Sequence, residues 1–203
     1  MLVAGSSLFP SSPFRLSLPF VGGFNPLFEG GLLTCTRQVW DIASRVIRHT
    51  FHGHEQDIYS LDFARNGRHI ASGSGDRTVR VWDIESGQNV LTLSIEDGVT
   101  TVAISPDGKL VAAGSLDKSV RVWDAHTGYL IERLEGPDGH RDSVYSVAFS
   151  PNGRELVSGS LDKTIKMWEL QRGVPGMNGT PRGKCIKTFE GHKVGLGKRI
   201  ASR

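Results

Sequence analysis

The 203-residue chain has two cysteines, Cys35 and Cys185, too few for a disulfide framework and at ease in a reducing compartment. No apolar run is long enough to span a bilayer. A basic stripe is also missing, although the pI is about 9.0. Residues 39–193 hold 19 Lys/Arg against 20 Asp/Glu, so the excess positive charge lies in the flanks. That distribution argues against direct nucleic-acid binding. Catalytic constellations are lacking too. Serines beside glycine, such as Ser74, stand outside any Gly-x-Ser-x-Gly elbow. The Gly176–Lys184 run matches a phosphate loop only loosely, with Asn178 in place of its first Gly and Cys185 in place of Ser/Thr. It reads as a Gly/Pro-rich insertion between two strands. His52-x-His54-Glu55 has the look of metal ligands, but its better reading is a structural His54 beside a solvent-facing His52. The chain is read as a non-enzyme without metal or cofactor.

What is present is repetition. Gly53 to Trp82, Ser94 to Trp123 and Gly139 to Trp168 superpose without a gap, at shifts of 41 and 86 residues from the first. Each opens on period-two apolar alternation: Tyr59, Leu61, Phe63; Thr100, Val102, Ile104; Tyr145, Val147, Phe149. Such alternation predicts a strand. Asn66-Gly67, Asp107-Gly108 and Asn152-Gly153 follow, supplying the positive φ of a tight turn. A short small-residue strand comes next, then a turn at Asp76, Asp117 or Asp162, then a β-branched strand ending in Trp. A fourth strand is predicted near 90–93, 130–134 and 186–189.

A period of about 40–45 residues with Gly-His and Trp-acid punctuation marks a WD-repeat β-propeller. The fold class expected is all-β, an incomplete propeller of three four-stranded blades (54–93, 95–134, 140–189) plus part of a fourth. Val39-Trp40-Asp41 and the strand 46–51 end the earlier blade, and Gly191-His192-Lys193 opens another. Residues 39–193 form the propeller fragment. Residues 1–38 and 194–203 show no repeat pattern and read as disordered or artefactual tails. Propellers close with about four to eight blades, so the chain reads as a slice of a larger ring.

Resemblance to the WD-repeat family places a buried hydrogen-bonded chain on His54, Ser72, Asp76 and Trp82, and again on His140, Ser158, Asp162 and Trp168. In the middle unit Ile95 and Ala113 replace the His and Ser, while Asp117 and Trp123 remain. A half-built polar network costs more than none. That blade is therefore expected to rest more on apolar packing, with His140→Ala costing clearly more stability than Asp117→Ala.

Alternating strand direction brings Tyr59, Thr100 and Tyr145 to the same rim as Gly75, Leu116 and Leu161. Apolar residues at turn tips, with Arg77, Lys118 and Lys163 beside them, predict a partner-docking patch. The rival reading packs both tyrosines between blades.

The stretches from His54 to Asp62, from Leu91 to Ala103 and from Asp142 to Val147 resemble the fungal Tup-type general transcriptional corepressor, counterpart of the Groucho-type corepressors. The run Ile95-Glu96-Asp97-Gly98 departs from the generic repeat as that family does. The resemblance covers residues 39–193. It implies a nuclear interaction scaffold whose rim docks DNA-bound repressor proteins. It also implies a tetratricopeptide-repeat corepressor partner and histones, both met through regions with no counterpart here. The alternative is a WD-repeat scaffold elsewhere, such as a substrate receptor for a ubiquitin ligase. A propeller hydrolase is the enzyme-class rival, and it lacks a nucleophile.

Overall fold

A computed structural model describes residues 2–5, 35–170 and 183–191. The described residues form strands and turns, with four antiparallel sheets. The first sheet holds β1 (Leu2–Gly5), β2 (Cys35–Asp41) and β3 (Val46–His54). The second runs β4 (Ile58–Phe63), β5 (His69–Ser74), β6 (Thr78–Asp83) and β7 (Asn89–Ser94). The third runs β8 (Val99–Ile104), β9 (Leu110–Ser115), β10 (Val120–Asp124) and β11 (Leu130–Leu134). The last runs β12 (Val144–Phe149), β13 (Glu155–Ser160), β14 (Ile165–Glu169) and β15 (Lys184–Phe189). Each four-stranded sheet is a meander in chain order, one propeller blade. The architecture is an incomplete WD propeller.

The hairpin turns form where the sequence places them. Gly67, Gly108 and Gly153 have φ of 70°, 73° and 68°, and each donates its N–H to the carbonyl three residues earlier at 2.8–2.9 Å. At the next turn Arg77, Lys118 and Lys163 hold φ of 66°, 74° and 74° without being glycine. That conformation costs of order 1 kcal/mol each. The preceding Asp anchors it: Thr78 N, Ser119 N and Thr164 N donate to Oδ1 of Asp76, Asp117 and Asp162 at 2.8–3.0 Å.

The blades pack face to face. Ala71, Val79, Val81 and Leu93 of one blade meet Val102, Val111, Ala113 and Trp123 of the next. Ala112, Val120, Val122 and Leu134 meet Val147, Leu156 and Trp168 in the same way. Gly73 and Gly114 permit this approach, because a Cβ on them would lie 2.5 Å from Val99 Cγ1 and 2.6 Å from Val144 Cγ1. Val39 and Phe51 of the first sheet pack on Ile70, Trp82 and Ile84.

The structure differs from the sequence reading at the start of the chain. Leu2–Gly5 pairs with β2, Leu2 opposite Trp40 and Ala4 opposite Gln38. Ile70 opposite Trp82 and Ser72 opposite Arg80 make the same register in the next sheet. Leu2–Gly5 thus occupies a blade's second-strand position. The gap-free comparison missed it because residues 6–34 break the frame. The signal lies in Leu2-Val3-Ala4-Gly5-Ser6, which differs from Leu156-Val157-Ser158-Gly159-Ser160 at one residue. β2 also begins at Cys35, inside the 1–38 segment; residues 1, 6–34 and 194–203, the 176–182 part of the insertion and His192-Lys193 lie outside the described residues.

Candidate functional site: a polar frame under an apolar rim

Two blades carry the same four-residue chain of hydrogen bonds. His54 Nδ1 lies 2.7 Å from Asp76 Oδ2, its Nε2 lies 2.8 Å from Ser72 Oγ, and Trp82 Nε1 donates to Ser72 Oγ at 2.8 Å. In the last blade His140 Nδ1 meets Asp162 Oδ2 at 2.9 Å and Nε2 meets Ser158 Oγ at 2.7 Å, with Trp168 Nε1 donating to Ser158 Oγ at 2.8 Å. Both nitrogens of each ring are occupied by protein groups, so His54 has a structural post and His52 beside it is exposed. Burial raises Asp76 and Asp162, but donors outweigh it. His54 and Thr78 hold Asp76 well below the usual carboxylate range. Thr164, the Arg141 N–H and His140 bring Asp162 down to about 2. Burial pushes His140 down against the pull of Asp162, keeping the ring neutral near pH 7.

The middle blade corrects one expectation. Ile95, Ala113 and Trp123 do join an apolar cluster. Polar packing is nevertheless retained by a different residue. Arg121, 3% exposed, donates from Nη1 to Asp117 Oδ2 at 2.7 Å and pairs also with Glu96. Burial, with Arg133 nearby, lowers the Arg121 pKa to about 10 against the opposing effect of Glu135, so the guanidinium stays charged at neutral pH. The same position on the third strand holds Arg80 and Lys166 in the other blades, so residue type there gave no warning.

Above this frame the predicted rim residues come together. Gly75 N, Leu116 N and Leu161 N donate to the carbonyls of Asp57, Gly98 and Ser143 at 2.9, 3.0 and 2.9 Å. Each Asp turn is thereby tied to the loop preceding a blade's first strand. A Cβ on Gly75 would lie 3.3 Å from Tyr59 Cε2, and one on Gly98 would lie 3.2 Å from Leu116 Cδ1 and 3.7 Å from Gly75 Cα. Tyr59, Gly75, Gly98 and Leu116 are therefore contiguous across two blades. Ser143 Oγ donates to the Leu116 carbonyl at 3.2 Å, and Thr100 Oγ1 contacts the Val144 carbonyl, joining the next pair of blades. Burial raises the Tyr145 hydroxyl, helped by Asp142 and by Tyr59 from two blades away.

Exposure varies along the rim. Tyr59 is 56% and Leu116 36% exposed, so neither is spent on packing between blades. Tyr145, Leu161, Gly75 and Thr100 are half-buried. Arg77, Lys118 and Lys163 stand exposed beside them. The arrangement can seat an apolar or aromatic side chain, with cations at the edge for an acidic neighbour. No group of three metal-ligating side chains occurs among the described residues.

Comparison with known proteins matches the strand pattern. The WD domain, G-beta repeat model covers residues 45–83, 87–124 and 131–169, more than half of the chain. Each match starts at or just before the last strand of one sheet and ends on the third strand of the next, so the sequence repeat staples neighbouring blades. The chain is 78% identical over 158 residues, 77% of its length, to transcriptional repressor rco-1 of Neurospora crassa, of which it spans 26%. It is 39% identical over 83 residues, 40% of its length, to a guanine nucleotide-binding protein subunit beta of Oryza sativa subsp. indica, covering 22% of that protein. To autophagy-related protein 16 of Arabidopsis thaliana it is 31% identical over 70 residues, 34% of its length and 14% of that protein's. The chain spans about a quarter or less of these relatives. With three repeat matches over more than half of its length, it belongs to the WD domain, G-beta repeat family.

Proposed function

We propose that the chain is a transcriptional corepressor propeller acting in the nucleus, a protein–protein scaffold whose rim docks DNA-bound repressors. The observation that carries this reading is the exposed Tyr59–Leu116 pair, tied through Ser143 to the Leu161 turn. The 78% identity to a transcriptional repressor supports it. So does a repeat region of nearly balanced charge, which suits a protein partner better than a phosphate backbone. The chain contributes no chemistry: the polar chains at His54 and His140 hold the Asp turns, and the turns hold the rim. A tetratricopeptide-repeat partner and histones belong to the same corepressor reading, but none of the rim residues is assigned to them.

The test is recovery of the tagged chain from crosslinked nuclei. Co-recovery of sequence-specific DNA-binding repressors supports the reading. Recovery with ubiquitin-ligase subunits and no DNA-binding protein contradicts it.

A further inference from the structure

The loops that lead into each blade's first strand are held in two different ways. In the blades that carry histidine, the residue after it is held by its backbone. Glu55 N donates to Asp76 Oδ2 at 3.1 Å, and Arg141 N donates to Asp162 Oδ2 at 2.9 Å. In the middle blade the matching oxygen, Asp117 Oδ2, receives Arg121 Nη1. Glu96, the counterpart of Glu55 and Arg141, holds on with its side chain. Its carboxylate meets Arg121 Nη2 and accepts from Arg133 Nη1 and Nη2 at 3.1 and 3.4 Å. Arg121 and Arg133 stand directly opposite each other on β10 and β11. Like charges so placed repel, and Glu96 bridges them.

Two residues along, the same loop carries Gly98. Its φ lies outside the left-handed range, so the backbone does not demand glycine there. Its counterparts are Asp57 and Ser143, both with side chains. Glycine instead leaves space beside Leu116, because an added Cβ would lie 3.2 Å from Leu116 Cδ1. The Gly98 carbonyl also accepts the Leu116 N–H at 3.0 Å, and the Asp97 carbonyl accepts Ser115 Oγ at 3.3 Å. The loop therefore sets both the backbone and the side chain of Leu116. Across the blade boundary Gly98 adjoins Gly75, and Tyr59 lies against Gly75. Two residues without side chains thus separate the exposed Tyr59 ring from Leu116.

We propose that Glu96 and Gly98 are positioning residues of the docking rim, and that the surface they set takes an aromatic side chain of a docked protein segment. Glu96 pins the loop to Arg121 and Arg133, and Gly98 admits Leu116 to its place near Gly75. A planar group can lie over the half-buried Gly75 and pack on Tyr59 and Leu116 together. The surface is continuous with the docking rim, and the inference rests on that reading.

The test is a nuclear magnetic resonance titration of the whole chain with two neutral probes, N-acetyl-tryptophanamide and N-acetyl-leucinamide. The indole probe should move the Tyr59 ring and Leu116 methyl signals and bind about fivefold tighter than the leucine probe. Gly98→Ala should weaken the indole probe by about threefold or more, and adding Leu116→Val, which shortens the crowded side chain, should recover part of the loss. A glycine needed only by the backbone would not be rescued. Glu96→Gln should shift the Leu116 methyl signals and weaken the indole probe, while the Trp82 and Trp168 indole signals stay in place. If a variant fails to fold, the titrations of the unmodified chain still decide. Equal affinity for both probes, or no movement at Tyr59 and Leu116, overturns the proposal. So does Gly98→Ala binding as before, a double variant without recovery, or Leu116 signals unmoved by Glu96→Gln. A failed titration alongside repressors recovered from nuclei would overturn this proposal alone and leave the rim's function standing.

Discussion

Asp117 holds Arg121 through a 2.7 Å contact in the blade where histidine and serine are both replaced. The pair is an exchange of one buried polar device for another. In the flanking blades an imidazole bridges the Asp turn to the Trp strand. In the middle blade a guanidinium does so from the third strand itself, with Glu96 as its second carboxylate.

This exchange changes the expected order of mutational effects. Asp117→Ala leaves a buried guanidinium with one carboxylate and should destabilise by about 1–3 kcal/mol. His140→Ala strips Ser158 and Asp162 of a partner and should cost a similar amount. Asp117→Ala combined with Arg121→Leu should recover part of the loss, because the unpaired charge is gone. Urea midpoints of the four proteins check this. No recovery in the double variant would show that Arg121 contributes packing and not charge.

How much of this was legible beforehand depends on the physics involved. Alternation at Tyr59, Leu61 and Phe63 announced a strand, and Asn66-Gly67 announced its turn, because both are local. The His54 and His140 chains followed from residue type, since a buried indole and imidazole must find partners. Arg121 stayed hidden because Arg80 and Lys166 hold the same position in the other blades, so a basic residue there does not by itself announce a pair with the Asp turn. Leu2–Gly5 stayed hidden because strand pairing reaches across residues that carry no repeat.

Stability should depend on pH in two steps. His140 is pushed below its ordinary 6.5, so the unfolded chain takes up that proton first as pH falls. Its contribution is complete above about pH 6.5 and is lost as pH drops below it. Asp76 and Asp162 lie below their ordinary 3.8, so their stabilisation is present above that value and lost as pH falls toward about 2. Urea midpoints should be flat from pH 8 to 7, decline gently to pH 4 and fall steeply below. Asp162→Asn should flatten the acid limb, and an unchanged limb would contradict the assignment.

The close approach of the blades has its own test. Gly73→Ala and Gly114→Ala place a methyl 2.5–2.6 Å from a valine on the next blade. Each should destabilise by about 1–3 kcal/mol. Thermal melting checks it, with Gly67→Ala as a comparison at a turn where no atom lies within 4 Å and only the positive φ is strained. A smaller loss at Gly73 than at Gly67 would mean that the blades are more loosely packed than described.

The account rests most on the rim formed by Tyr59, Leu116, Tyr145 and Leu161. Leu161→Asp changes a half-buried turn residue whose backbone bond to Ser143 is independent of its side chain. The decisive measurement is chromatin occupancy of a full-length propeller carrying Leu161→Asp or Tyr145→Ala, with thermal melting of the same proteins. The account predicts occupancy reduced by about tenfold or more while the melting temperature stays within a few degrees. Unaltered occupancy with either variant would contradict it.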